Sequence, residues 1–292
     1  MRPPSLSFTI ILICLLLAAC QTTGRETTRL PGDGGDETSN GSDPPPHDQA
    51  FTLFGVVGVD DGPSGFGMLA LFQEFEPSPA EAFLEAVRVS SPRCTIASFE
   101  APEIPALPLI SAGDALAIRR SKDGSLVLEQ PRTEDGGYSG ARVPSPGPTD
   151  LTLSIPGDAF PPYEVLLPTT YAIDLATTDG FTDPIRSGTE LRWTPAAAGE
   201  DEDVWINLGV IDGGTFVLCG APDTGSFTMP TKADAKFSDG GIEFEADLTG
   251  LEGTLMTLSR VSSKSWYDAD TESLLLVTIS ASVEVTRDAS AH

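Results

Sequence analysis

Short runs in which apolar and polar residues alternate, cut repeatedly by Gly, Pro, Asp or Ser, constrain this chain more than any other feature. In L-T-L-S-I, Leu151, Leu153 and Ile155 fall on one face while Thr152 and Ser154 fall on the other. A period of two is that of a half-buried strand and not of a helix. The same character recurs at Phe51 to Val59, Phe66 to Phe75, Ala86 to Val89, Cys94 to Phe99, Ala115 to Ile118 and Ser125 to Leu128. With 29 Gly and 25 Pro to punctuate them, these runs predict many short strands. Heptads are absent. The exception is Pro79 to Glu85, a short helical turn with Ser78 as its cap and Pro79 at the first helical position.

The second half repeats the style. Leu191 and Trp193 share a face, as do Val204, Ile206 and Leu208, and as do Phe227 and Met229. Ile242, Phe244 and Ala246 alternate, and Leu255 to Leu258 and Leu274 to Val285 supply the last strands. About seven short strands in this half match a β-sandwich. Trp193 and Trp205 sit inside strands and are read as core. The fold class expected is all-β, with tandem sandwich domains over 51–160 and 170–288 and a proline-marked boundary between them.

G-T-E-L-R-W-T-P from Gly188, D-V-W-I-N-L from Asp203, F-V-L-C from Phe216 and D-T-G-S-F-T-M-P from Asp223 resemble the immunoglobulin-like modules of bacterial surface lipoproteins. The resemblance implies a fold for the C-terminal segment and transfers no functional residue.

The amino terminus sets the compartment. Arg2 precedes an apolar run of about 14 residues, short of the roughly 17 to 25 that span a bilayer as a helix. The run closes on Leu17-Ala18-Ala19-Cys20, which resembles the lipobox of bacterial lipoproteins. That resemblance implies a signal peptide over 1–19, removed before Cys20, and acyl chains of the palmitate type on Cys20. Gln21 in place of an aspartate then favours the outer membrane of a Gram-negative cell. Residues 20–50 show no apolar periodicity and are rich in Gly, Thr, Ser, Asp and Pro, so they are expected to form a flexible acidic tether.

Once Cys14 leaves with the signal and Cys20 takes lipid, Cys94 and Cys219 remain. In an oxidising compartment such a pair permits one disulfide or two buried thiols. The formal net charge of −26 repels phosphate polymers and anionic headgroups, so nucleic acid is not an expected partner. Membrane contact is expected through lipid alone.

Catalysis finds little material. The two histidines are His47, in the tether, and His292, the last residue. Neither has the packed surroundings that a nucleophile–base pair or a histidine-ligated zinc requires. Carboxylate chemistry survives this filter, so a glycan hydrolase built on two opposed acids is the alternative function. Binding is the preferred one, with an envelope protein or a glycan as partner. Trp266 and Tyr267, in S-K-S-W-Y-D-A-D, are the candidate ligand-stacking rings, the competing role being rings tucked over a sandwich edge. Asp268, Asp270 and Glu272 form an alternating acidic set with the oxygen chemistry of a calcium site, as do Asp201 and Asp203 beside Glu200 and Glu202. None has EF-hand spacing. Asp60-Asp61-Gly62 reads as a turn.

Overall fold

A computed structural model describes residues 49–87, 89, 91–98, 108–147, 149–173, 185–197, 203–212, 215–238, 241–253 and 255–286. The described chain is mostly strand and sandwich-like. The first strands are β1 (Ala50–Gly62), β2 (Gly65–Pro79), β3 (Arg93–Ser98), β4 (Ala115–Arg120), β5 (Leu126–Pro131), β6 (Leu151–Ile155) and β7 (Tyr163–Leu166). They are followed by β8 (Glu190–Arg192), β9 (Asp203–Asp212), β10 (Thr215–Pro222), β11 (Ser226–Thr228), β12 (Lys232–Ser238), β13 (Gly241–Asp247), β14 (Leu255–Asp268) and β15 (Ser273–Thr286). One helix, α1 (Ala80–Val87), follows β2.

A nine-stranded sheet in the order β13-β12-β3-β10-β9-β14-β15-β1-β2 dominates the molecule. It is mixed: β1 runs parallel to β15 and β3 parallel to β12, the other pairs being antiparallel. A four-stranded sheet, β5-β4-β6-β7, and a two-stranded one, β11-β8, complete the architecture. Strands β1, β2 and β3 come from the expected 51–160 segment, yet they share the large sheet with strands of 170–288. The expected division therefore does not fall at an edge of that sheet.

Alternation explains the layers. Val57, Val59, Phe66, Met68, Ala70, Phe72, Leu275, Val277 and Ile279 face the four-stranded sheet, which answers with Leu116, Ile118, Leu128, Leu151, Leu153 and Ile155. Phe54, Val56, Leu274 and Leu276 point the other way, beneath Ala80 and Phe83 of α1. Because both faces of β15 are covered here, Leu274 to Val277 reads as a continuous apolar run with no alternation. Further along the large sheet, Ile206, Leu208, Val210, Val217, Met256 and Leu258 bury against Leu191 and Phe227 of the small β8-β11 sheet and Trp193 beside it. Trp193 and Trp205 are both buried, as expected.

The β2 edge is closed by irregular pairing: Ala70 exchanges backbone hydrogen bonds with Tyr138, and Phe66 with Val143. Such covering removes a surface on which other strands could add. Several expectations need correction. Ala86 and Val87 lie in α1 and not in a strand, α1 starts at Ala80, and the Ser78 hydroxyl bonds the Glu76 carbonyl. Asp60 to Gly62 close β1, and the turn is made by Pro63 and Ser64. Gly65 follows that turn at a φ of 103°, which a side chain rarely adopts.

Candidate functional site

The β14–β15 hairpin carries the five residues singled out as ligand contacts. The polar stretch S-K-S-W-Y-D is strand as far as Asp268, where the turn begins. Consecutive strand residues point to opposite faces. Trp266 accordingly packs against the core beneath the four-stranded sheet, and Tyr267 against the α1 side. The two rings are partly covered and do not form one stacking platform. Tyr267 is further committed by its hydroxyl, which donates to the Ala50 carbonyl at 2.9 Å and ties the hairpin to the start of β1.

The acids of the turn are not gathered around a common point. Asp268 accepts the Asp270 backbone N–H at 2.9 Å, an Asx-type closure of its own loop. Asp270 and Glu272 are exposed. Glu272 takes a φ of 48°, and its carbonyl accepts the Thr52 and Leu53 N–H groups at 2.9 and 3.2 Å. Among the described residues no three His, Cys, Asp or Glu side chains are placed to hold one metal ion. Glu200, Asp201 and Glu202 lie outside the described residues, as do Cys20, His47 and His292.

Behind the turn, the Tyr163 hydroxyl lies 2.6 Å from Ser273 Oγ, which is 2.8 Å from Thr271 Oγ1. Burial pushes the Tyr163 phenol up to about 12, helped by the Asp268 charge and Tyr267 and opposed by the Ser273 hydrogen bond. Burial also raises Tyr267, with Glu272 and Asp268 adding to the effect. The hairpin end is thus a hydroxyl network that holds the four-stranded sheet to the large one.

Two withdrawn carboxylates escaped the sequence reading, and both face an arginine. Asp60 Oδ2 lies 2.6 Å from an Arg142 nitrogen, while Oδ1 accepts from Ser280 and Ser282 at 3.0 and 2.9 Å. Arg142 also donates to Ser64 Oγ and the Gly65 carbonyl. A Cβ at residue 67 would stand 3.0 Å from Arg142 Cγ, so Gly67 leaves room for the arginine stem. Two strands away, on the opposite face of the large sheet, Asp223 pairs with Arg260 at 3.0 Å and accepts from Trp193 Nε1 at 2.5 Å and the Ala196 N–H at 2.8 Å. The one signal for this second pair was a lone arginine inside S-R-V-S-S. Asp60 and Asp223 each face an arginine, whereas glycoside hydrolysis uses two opposed carboxylates. Asp123, Asp135 and Asp247 are held below the usual carboxylate range by hydrogen bonds from Ser125, Thr133 and Thr249 respectively. That direction is opposite to the one a general acid needs.

Cys94 and Cys219 are bonded. They are direct cross-strand partners in β3 and β10, with Cα atoms 4.0 Å apart, and each is 1% exposed. Of the two states the sequence left open, the disulfide is the one present. Asp234 Oδ2 accepts the Cys94 N–H at 2.8 Å, and the Cys219 sulfur lies 3.9 Å from Met229 Sδ.

No protein-family model matches the chain, and no curated protein matches it. Among solved structures it is similar to a tetra-tandem repeat in the extending region of a large adhesion protein, at 12% identity. That alignment covers 80% of this chain and 74% of the other, with a TM-score of 0.15, and at that score it assigns this chain neither fold nor role.

Proposed function

We propose that the protein is a lipid-anchored component of the bacterial cell envelope that binds an envelope protein or a glycan and catalyses no reaction. The observation that carries this reading is the Cys94–Cys219 bond. A buried disulfide is at home in an exported protein, where reducing systems do not reach it. The Leu17-Ala18-Ala19-Cys20 sequence leads to the same compartment by an independent route. In this reading Cys20 takes the acyl chains, residues 20–50 form the tether, and the β framework carries the binding surface clear of the outer membrane.

The absence of catalysis is supported by what the withdrawn acids do. Asp60 and Asp223 are both spent on arginine pairs that join separate elements. The exposed carboxylates keep the surface hydrated and repel anionic polymers.

Two measurements test the reading. Mass spectrometry of the mature amino terminus is expected to find Cys20 first and acylated; an unmodified Cys20, or cleavage elsewhere, defeats the anchor. Crosslinking in the native envelope is expected to capture a defined partner. Capture of none, together with hydrolysis of a cell-wall glycan by the purified protein, overturns the binding role.

A further inference from the structure

Strand β3 has an unusual place. It fills the slot between β12 and β10, so five strands, β10, β9, β14, β15 and β1, stand between it and β2, the strand before it in sequence. At about 4.8 Å per strand the crossing alone is on the order of 29 Å, and the register adds to it, because Arg93 lies on the row of Gly65, at the opposite end of β2 from Pro79. The connection is residues 80–92. The eight residues of α1 rise about 12 Å and the five that follow reach at most about 17 Å. The crossing alone takes up that reach.

All of the strand's ladder contacts are with the far side. It pairs antiparallel with β10 from Arg93↔Gly220 to Ser98↔Thr215, and parallel with β12 from Thr95↔Ala235 to Ala97↔Phe237. Cys94 and Ile96 enter the core shared by β9, β10 and β14, and Asp234 takes the Cys94 N–H. Without β3, β10 and β12 would each present an open edge to the same gap.

We infer that the β10–β12 gap is a strand-acceptor site and that the β3 arm of a second copy of this chain fits it. Exchange between two copies would keep every one of these contacts, since donor and acceptor surfaces are unchanged. It would also relieve a connection that has little slack, the condition under which arms swap. Charge favours the arm over other segments: R-C-T-I-A-S carries Arg93 and no acid, in a chain of 43 acidic and 17 basic residues. The Cys94–Cys219 bond is what locks the arm, and it locks it equally well within one chain or between two.

The test mixes isotopes and not mutants at the exchanging positions. The full chain with Cys14 and Cys20 replaced by serine is prepared unlabelled and ¹⁵N-labelled. The two are mixed, reduced with a dithiol under conditions where the strand signal in circular dichroism persists, and reoxidised with glutathione disulfide. Each bond formed passes two electrons and two protons to glutathione disulfide, yielding two glutathione thiols. The peptide linking Cys94 to Cys219 is then weighed. Exchange predicts heavy–light linked peptides that rise with protein concentration toward roughly half of the total, together with a dimer in gel filtration. Heavy–heavy and light–light peptides alone, at every concentration, overturn the proposal. A second arm guards against loss of structure in the reduced state. A fluorescent peptide of residues 91–98, activated at its cysteine as the mixed disulfide with glutathione, is offered to the reduced, folded chain, and the Cys219 thiolate is expected to attack the peptide sulfur, form the mixed disulfide and release one glutathione thiol. Equal capture of a scrambled peptide that keeps its cysteine also overturns the proposal.

Discussion

Arg260 on β14 and Asp223 after β10 hold their charged groups 3.0 Å apart with side chains 5% and 6% exposed. The charges are not left bare. Arg260 also donates to the Ala172 and Thr194 carbonyls, and Asp223 accepts from Trp193 and Ala196. One pair thereby fastens the 167–173 segment, the β8–β11 sheet and the centre of the large sheet at a single point. Breaking a buried pair from one side leaves an unpaired charge. Asp223→Ala or Arg260→Met is therefore expected to destabilise by about 3–5 kcal/mol in urea titrations, whereas Asp223→Leu with Arg260→Met loses much less. Equal losses in the single and double variants would show that packing, and not the stranded charge, dominates.

The disulfide closes a sequence separation of 125 residues, so it removes much freedom from the unfolded chain. Replacing Cys94 and Cys219 by alanine is expected to lower stability by about 2–4 kcal/mol while leaving the strand signal in circular dichroism intact. A double variant that melts with the oxidised protein would place the stabilising constraint elsewhere.

How far the fold was legible depended on what each strand faces. Leu151 to Ile155 could be read directly, because one face of β6 is core and the other meets solvent. Most of β14 could not. Ser259, Arg260, Ser262 and Ser263 are buried polar residues, and the partners of the first three, such as the Thr169 carbonyl for Ser262, lie far away in sequence. A strand that buries hydroxyls has no apolar period to detect. Once that run is recognised as strand, the divergence of Trp266 and Tyr267 follows from their adjacency. The shared sheet was hidden for a different reason. Pairings such as Cys94 with Cys219 or Asp60 with Ser280 join distant segments, and local patterns carry no trace of them.

Tyr163 links stability to alkaline pH. Its phenol titrates near 12 in the fold against 10.0 when free, so the folded chain keeps this proton where the unfolded chain has lost it. A state that holds more protons loses stability as pH rises. The contribution is whole below pH 10 and declines from there to about 12. Tyr163→Phe should flatten that decline relative to the parent in urea titrations across the window. An unchanged slope would mean that Tyr163 ionises freely and that its 2.6 Å contact with Ser273 contributes little.

Gly55 offers the sharpest test of the packing between the two sheets. It sits on β1 directly opposite Phe72, and an added Cβ would come within 2.7 Å of that ring and 2.9 Å of Phe160. Phe72 and Phe160 are 4.6 Å apart between centroids, and Phe72 meets Tyr138 edge-on at 5.5 Å. All three rings are buried, so neither neighbour can swing into solvent. Gly55→Ala is thus an overpacking change, expected to destabilise by about 1–3 kcal/mol. Gly250→Ala is the matched control, since a Cβ there meets nothing within 4 Å and the backbone is not in the left-handed region. That change is expected to be neutral or to stabilise by up to about 1 kcal/mol, through loss of unfolded-chain freedom. Combining Gly55→Ala with Phe72→Leu separates sterics from backbone effects. If the ring is what the new methyl strikes, the double variant is more stable than the two single losses added together. Strict additivity in the same titrations would instead assign the requirement for glycine to the β1 backbone.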